Sequence, residues 1–513
     1  MNISTISSYI CLPDYPIVQT AQGKLRGFVQ NGIFTFRGVP YAHARRFHAP
    51  QPVTAWEGIR NAQDYGHVSH IPAIGPSEGD TMNPHRYWHG GDDCQNLNVW
   101  TTQLDPNARK PVMFWIHGGG FNDGSSIEMY AYDGANLSRE EEVVVVSVNH
   151  RLNLLGYLDL SDYGAEYAQS GIAGMLDLVM ALRWVHENIA AFGGDPDNVT
   201  LFGQSGGGGK IQALMQMPSA DGLYHKAIIQ SGVLDLGPFV SAETAKQTAA
   251  EILEKLKVTA RELEELPYET INAAVNEIKK QRRVDWAPVP GIGEYKGSWE
   301  AVGFRPETRE IPVIVGSVFA EFEAQKLWAY KAQLPREQLF QILAQRYGAE
   351  HVPQLLEAFR KAYPELPEYY CALVDIVCRL PAQNYLKCRS AFTETPCYNY
   401  LFYYVSPYMG GEISGHCQEL PFVFRNSQYL GVLAGGEERE ALQGAISGAW
   451  AAFARSGTPD CSSIPHWEKF HSETKDCMVF SSSTRMEQGF DGELTSLVAQ
   501  YAALPPFLVR TKG

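Results

Sequence analysis

Much is missing from this sequence, and each absence removes a class of protein. Its nine cysteines are odd in number and irregularly spaced, with no C-x-x-C pair among them. Neither a zinc ribbon nor a thioredoxin-like redox site is therefore read from them. Free thiols in a reducing cytoplasm fit that usage. No apolar run approaches the roughly 18 residues of a membrane span. The opening MNISTISSYICLPDYPIVQT lacks the basic stretch and long apolar core of an export signal. The expectation is a cytoplasmic protein with no membrane partner. Basic stripes are lacking too. The net charge is −15, whereas phosphate backbones are bound by clustered lysine and arginine, so no nucleic-acid partner is expected. Diffuse acidity of this kind serves solubility. There is no internal repeat and no low-complexity linker.

What is present is a globular pattern: 513 residues, 45% hydrophobic and 19% charged. Strand-like runs alternate with helical spacing. PVMFWI (111–116), EVVVVSVN (142–149), NVTLF (198–202), KAIIQSG (226–232) and IPVIVGSV (311–318) read as buried strands. AGMLDLVMALRWVHENIAAF (173–192) has helical periodicity, and CYNYLFYYVS (397–406) returns to strand. Alternation of this kind predicts an α/β layered domain with a mostly parallel central sheet. Residues 241–300 and 325–390 read as helical insertions over the functional edge of that sheet, within a single catalytic domain spanning 1–513.

GQSGGGGK (203–210) admits two readings. As a phosphate loop it fails: Gln204 stands where the first glycine is required, and Ile211 after Lys210 has no hydroxyl for magnesium. As a nucleophile turn it fits. Gly203-Gln204-Ser205-Gly206-Gly207 is G-x-S-x-G, preceded by a strand and followed by helical spacing. Glycines two residues either side of Ser205 give clearance to a strained turn. A serine hydroxyl needs a base and an oxyanion site. HGGGF (117–121) follows the strand PVMFWI, and the N–H groups of Gly119, Gly120 and Gly206 make a candidate oxyanion hole.

With these features in place, the sequence resembles the type-B carboxylesterase/cholinesterase family of α/β-hydrolases. It is most similar in appearance to microbial carboxylesterases of the para-nitrobenzyl esterase type. The likeness extends to FRGVPYA (36–42), DCQNLNVW (93–100), NHRLNLLGYL (149–158), HCQELPFVF (416–424) and WAAFARSGTPD (450–460). It implies the α/β-hydrolase fold, with helical insertions bordering the active-site edge. It also implies a triad of Ser205 as nucleophile, Glu321 as acid and His416 as base. Neither metal nor organic cofactor is implied. The implied partner is a small-molecule ester, apolar or aryl, handled through an acyl-enzyme by a monomer or small homo-oligomer. Amide, carbamate or thioester hydrolysis on the same apparatus is the alternative, and a non-catalytic binding member of the fold is a third reading.

Several positions depart from the family pattern. Gly206 replaces the usual alanine, Phe322 the glycine after the acid, and Cys417 a small residue after the base. Glu323 is a competing carboxylate. No cysteine lies between Cys11 and Cys94, so the disulfide of secreted members is absent. Met82 stands where cholinesterases place a tryptophan, with Trp88 nearby. Lys210 replaces a small serine. Five positions past Ser205 on a helix, it faces away from the nucleophile. A cation in a first helical turn is unfavourable unless paired, which predicts a carboxylate or carbonyl partner behind the active site.

Overall fold

A computed structural model describes residues 8–71, 84–234, 240–322, 335–408, 411–433 and 436–501. Among them runs a 12-stranded sheet. Its strands are β1 (Tyr9–Ile10), β2 (Phe28–Gln30), β3 (Ile33–Pro40), β4 (Asn96–Thr101), β5 (Lys110–Ile116) and β6 (Val144–Val148), then β7 (Gly194–Gln204), β8 (Lys226–Gln230), β9 (Val313–Val318), β10 (Cys397–Phe402), β11 (Asp476–Phe480) and β12 (Arg485–Gln488). The spatial order is β1-β2-β3-β4-β6-β5-β7-β8-β9-β10-β11-β12. Every neighbouring pair from β6 to β11 is parallel. The flanks are antiparallel.

The central strands are hydrophobic runs because both their faces are covered. Side chains alternate across a strand. On β5, Val112, Phe114 and Ile116 face one layer, where α1 (Ala173–Asn188) contributes Leu178, Leu182 and Val185. Met113 and Trp115 face the opposite layer, where the helix Glu437–Ser456 contributes Ile446, Trp450 and Phe453. The predicted helix 173–192 divides. Its α-helical part ends at Asn188, a 3-10 turn covers Ile189–Phe192, and Gly193 at φ 79° turns the chain into β7.

The helix after β7 is α2 (Gly206–Leu214). Beyond β8 lie α3 (Ala242–Leu256), α4 (Ala260–Glu265) and α5 (Tyr268–Lys279). The helical reading of 241–300 holds only to Lys279. From 281 the chain runs mainly as turns and loop until the short helix Trp299–Val302, because Pro288, Pro290, Gly291 and Gly293 interrupt helical hydrogen bonding. In the second insertion, helices span Arg336–Tyr347, Val352–Ala362 and Arg379–Phe392; residues 325–334 of that expectation lie outside the described residues. The strand reading of 397–406 stops at Phe402, and Val405–Ser406 pairs separately with Glu412–Ile413. No helix among the described residues is long and apolar enough to cross a membrane.

A buried ion pair ties the loop after β6 to α1. Arg151 donates from Nε to Asp177 Oδ2 at 2.8 Å and from Nη2 to Oδ1 at 2.7 Å. Its Nη1 donates to the carbonyl of His48 at 2.8 Å. Removing one partner leaves a buried charge uncompensated. Asp177→Ala is expected to lower stability by about 3–5 kcal/mol, read as an earlier urea-denaturation midpoint; an unchanged midpoint would show that the pair is dispensable.

Candidate active site

The site forms where the parallel strands end. β7 finishes at Gln204, and Ser205 follows at φ 55° and ψ −125°, a conformation that side chains rarely adopt. The strain is imposed from both sides. Ser205 N donates to the carbonyl of Gln230 on β8 at 2.8 Å, and its carbonyl accepts from Gly209 N at 3.1 Å. The turn then presses against β5: a Cβ on Gly207 would lie 2.0 Å from the carbonyl oxygen of Ile116. Gly208 packs against Gly232, which explains the third glycine, whereas a Cβ on Gly209 would meet nothing closer than 3.8 Å. Gly209 borders the cavity described below.

The loop leaving β5 comes to the same place. A Cβ on Gly206 would stand 2.3 Å from Gly120 N, so the start of α2 and the HGGG loop touch backbone to backbone. Gly119 and Gly120 have φ values of 79° and 61°. The carbonyl of Gly119 accepts from Asn122 N at 3.1 Å and Asp123 N at 3.0 Å, closing the loop into a turn.

Glu321 follows β9, fully buried at φ 32°. Its Oε1 accepts from Val318 N at 2.9 Å, and its Oε2 lies 2.5 Å from His416 Nδ1. A backbone bond from His416 N to the Glu321 carbonyl, 3.0 Å, holds the two loops together. Glu323, the competing carboxylate, lies outside the described residues, as does Met82. Trp88 packs edge-on against Tyr65.

The imidazole of His416 is covered on its faces. The Gln204 amide nitrogen is 3.2 Å from Nε2 and 3.3 Å from Nδ1. An atom so nearly equidistant sits over the ring, because in the ring plane it would collide with Cε1. The ring of Phe322 stacks at 4.2 Å between centroids, tilted by 34°. Both contacts are with the faces of the imidazole rather than its edge. Among the described residues no hydrogen bond joins Ser205 to His416; such bonds are often long before substrate arrives. Gln204 also accepts from Cys417 Sγ at 3.2 Å, and burial pushes that thiol's pKa well above its ordinary value. Cys417 is therefore a packed thiol, not a thiolate.

Other carboxyls crowd Glu321. Asp375 is pushed up to about 7 by burial and then by the Glu321 charge, and Glu419 to about 7 by the same two causes. Both favour the protonated form. Cys378, buried beside them, is pushed well above the usual thiol range. Glu321, Asp375 and Cys378 bring one ligand atom each within 4.8 Å of one another, the only metal-like grouping among the described residues. Two of its members favour the protonated state and the third is paired with His416, a poor donor set for a cation.

Lys210 is fully buried on α2. Its Nζ donates to the carbonyl of His117 at 3.0 Å and to that of Gly118 at 3.3 Å. The expected carbonyl partner is thus supplied by the HGGG loop itself. Burial pushes Lys210 down to about 7, opposed by the charges of Glu128 and Asp123.

Ser205 and Gly206 line a cavity of about 660 Å³. Phe121, Leu234, Val240, Trp286, Pro288 and Trp299 give it an apolar wall, and Lys279 and Arg283 also border it. Most of that wall comes from the stretch 279–301. Gln204, Asp375, Cys378 and Glu419 were not singled out by sequence reasoning. Glu419 alone had a signal, its place three residues after His416.

A parallel sheet, a strained serine turn at a strand end and an acid and histidine on later loops define an α/β-hydrolase. The carboxylesterase family profile matches residues 14–497, and the chain belongs to that family. It is 31% identical to para-nitrobenzyl esterase of Bacillus subtilis (strain 168), over 93% of this chain and 97% of that one. It is 31% identical to phenmedipham hydrolase of Pseudarthrobacter oxydans, over 90% and 94%. Among solved structures, an esterase from anaerobic Clostridium hathewayi able to hydrolyse aliphatic aromatic polyesters superposes with a TM-score of 0.92. It is 39% identical and covers 96% of this chain and 100% of its own. A thermophilic para-nitrobenzyl esterase superposes at 0.75 with 31% identity, over 94% and 99%. The chain is a carboxylesterase.

The raised Glu419 sets a pH dependence. Its ordinary value is 4.5 and its folded value about 7. Between these, the folded protein keeps a proton that the unfolded chain has lost, so stability falls as pH rises through that window. Glu419→Gln is expected to flatten the fall of melting temperature between about pH 5 and 7; a slope as steep as that of the wild type counts against it.

Proposed function

We propose that this carboxylesterase hydrolyses small, largely apolar or aryl esters through an acyl-enzyme on Ser205. His416 takes the Ser205 proton and returns it to the leaving alcohol. Glu321 fixes the imidazole tautomer and stabilises the imidazolium. The N–H groups of Gly119, Gly120 and Gly206 receive the oxyanion. The observation that carries this reading is the buried Glu321–His416 contact of 2.5 Å, held against the residue next to Ser205. The aryl preference is supported by the apolar wall beside Ser205 and by relatives that include a para-nitrobenzyl esterase.

The chain functions as a single catalytic domain, with the stretches 241–300 and 325–390 as elaborations that tune substrate choice. The first supplies half of the residues that line the cavity. It acts in the cytoplasm, as a monomer or small homo-oligomer. The cytoplasmic reading is supported by nine cysteines that are all unpaired.

Hydrolysis of a chromogenic short-chain aryl ester tests the assignment. Ser205→Ala is expected to lower kcat by at least about 10⁴-fold, and Glu321→Gln by about 10³–10⁴-fold. An organophosphonate should label the peptide carrying Ser205. Retained activity in Ser205→Ala, or label on another peptide, overturns the nucleophile. If Glu323→Gln collapses turnover while Glu321→Gln does not, the acid is misassigned.

A further inference from the structure

We propose that Lys210 is a positioning residue that sets the oxyanion hole from behind, by holding the carbonyls of His117 and Gly118. This rests on the reading of Gly119 and Gly120 as oxyanion donors.

The argument is one of peptide geometry. A trans peptide is planar, and its C=O and N–H point in opposite directions. The carbonyl of Gly118 and the N–H of Gly119 belong to one peptide. Drawing that carbonyl towards Nζ, at 3.3 Å, turns the Gly119 N–H to the opposite side of the loop. The His117 carbonyl, at 3.0 Å, fixes the preceding peptide in the same way. The next peptide is fixed by a different device. The Gly119 carbonyl is held by Asn122 N and Asp123 N, which aims the Gly120 N–H. The two proposed donors in this loop are therefore each oriented by what binds the carbonyl on the same peptide.

A loop of three glycines needs such a restraint. Glycine has the widest backbone freedom of any residue, and Gly119 and Gly120 both sit at positive φ. An oxyanion hole works because its donors are fixed before the charge develops. Side chains on the loop cannot supply the fixing, so it comes from a neighbouring helix. Lys210 reaches from α2, the helix whose first residue, Gly206, abuts Gly120. One helix thus carries the proposed Gly206 donor and the anchor for the Gly119 donor. The anchor does not depend on charge. A neutral amine keeps two N–H donors for two carbonyls, and the ammonium adds polarisation of the peptide it binds. Asp123 and Glu128 are the acids facing the amine, and His117, itself pushed down by burial and by Lys210, lies beside it.

The test separates oxyanion binding from pocket binding. A trifluoromethyl ketone adds to the serine and presents an oxyanion, whereas the methyl ketone of the same skeleton binds as a planar carbonyl. In Lys210→Met the inhibition constant of the fluoroketone is expected to rise roughly 10²-fold, with kcat falling by a similar factor. The methyl-ketone constant and KM should stay within about threefold of wild type, well below the loss for one oxyanion donor. Lys210→Gln, which retains an N–H donor, should recover part of the loss. Unchanged fluoroketone affinity, or equal losses for both ketones, overturns the proposal. If Lys210→Met does not fold, Lys210→Gln decides alone, and fluoroketone affinity equal to wild type overturns it. Ser205→Ala is assayed alongside: full turnover there removes the underlying reading whatever Lys210 does.

Discussion

The site depends on one backbone contact, Gly207 of the turn after β7 against the Ile116 carbonyl at the end of β5. Hydrogen-bonded parallel neighbours bring those two strand ends side by side. The space left there has no room for a side chain. That contact places Ser205 above the sheet and sets the start of α2 against the HGGG loop. It also puts Lys210 within reach of that loop's carbonyls. A fold with antiparallel β5 and β7 would bring opposite ends of these strands together, and none of this would follow. The buried Arg151–Asp177 pair does a related task one strand away, fastening the loop after β6 to the helix that packs under the sheet.

Around Glu321 the electrostatics are arranged by protonation. Three buried acids, Glu321, Asp375 and Glu419, cannot share a small apolar volume as three charges. Glu321 has the histidine and a backbone N–H as partners, while Asp375 and Glu419 are pushed towards their neutral forms. Glu419 then accepts from Gln230, whose carbonyl oxygen accepts from Trp450 Nε1. The chain of neutral groups carries structure without adding charge.

What the sequence made legible was backbone. The strands of the central sheet stand out because both faces are buried, and GQSGG and HGGG stand out because only glycine fits such close approaches. The proposed acid and base carry no local signal. Glu321 and His416 are separated by 95 residues and meet through loops after β9 and β10, so only the family resemblance singled them out. Phe322 and Lys210 were visible as departures, but their contacts lay in three dimensions. Phe322 fills the imidazole face, and Lys210 turns back to the loop after β5. Gln204, Asp375 and Cys378 had no signal, since a polar residue in a strand or loop says nothing of what it will face. The stretch 281–298 departs from the helical expectation for 241–300, because its prolines and glycines interrupt helical hydrogen bonding.

The packing of His416 against Gln204 and Phe322 has a consequence for what the imidazole can do. A ring packed against two side chains has little rotational freedom left, so it loses little entropy on reaching the geometry of the proposed proton transfer. It also cannot swing between two donors. The proton taken at one stage has to be delivered from where the ring already stands. In the proposed cycle the moving party is then the substrate, whose alcohol departs and is replaced by water at the same nitrogen.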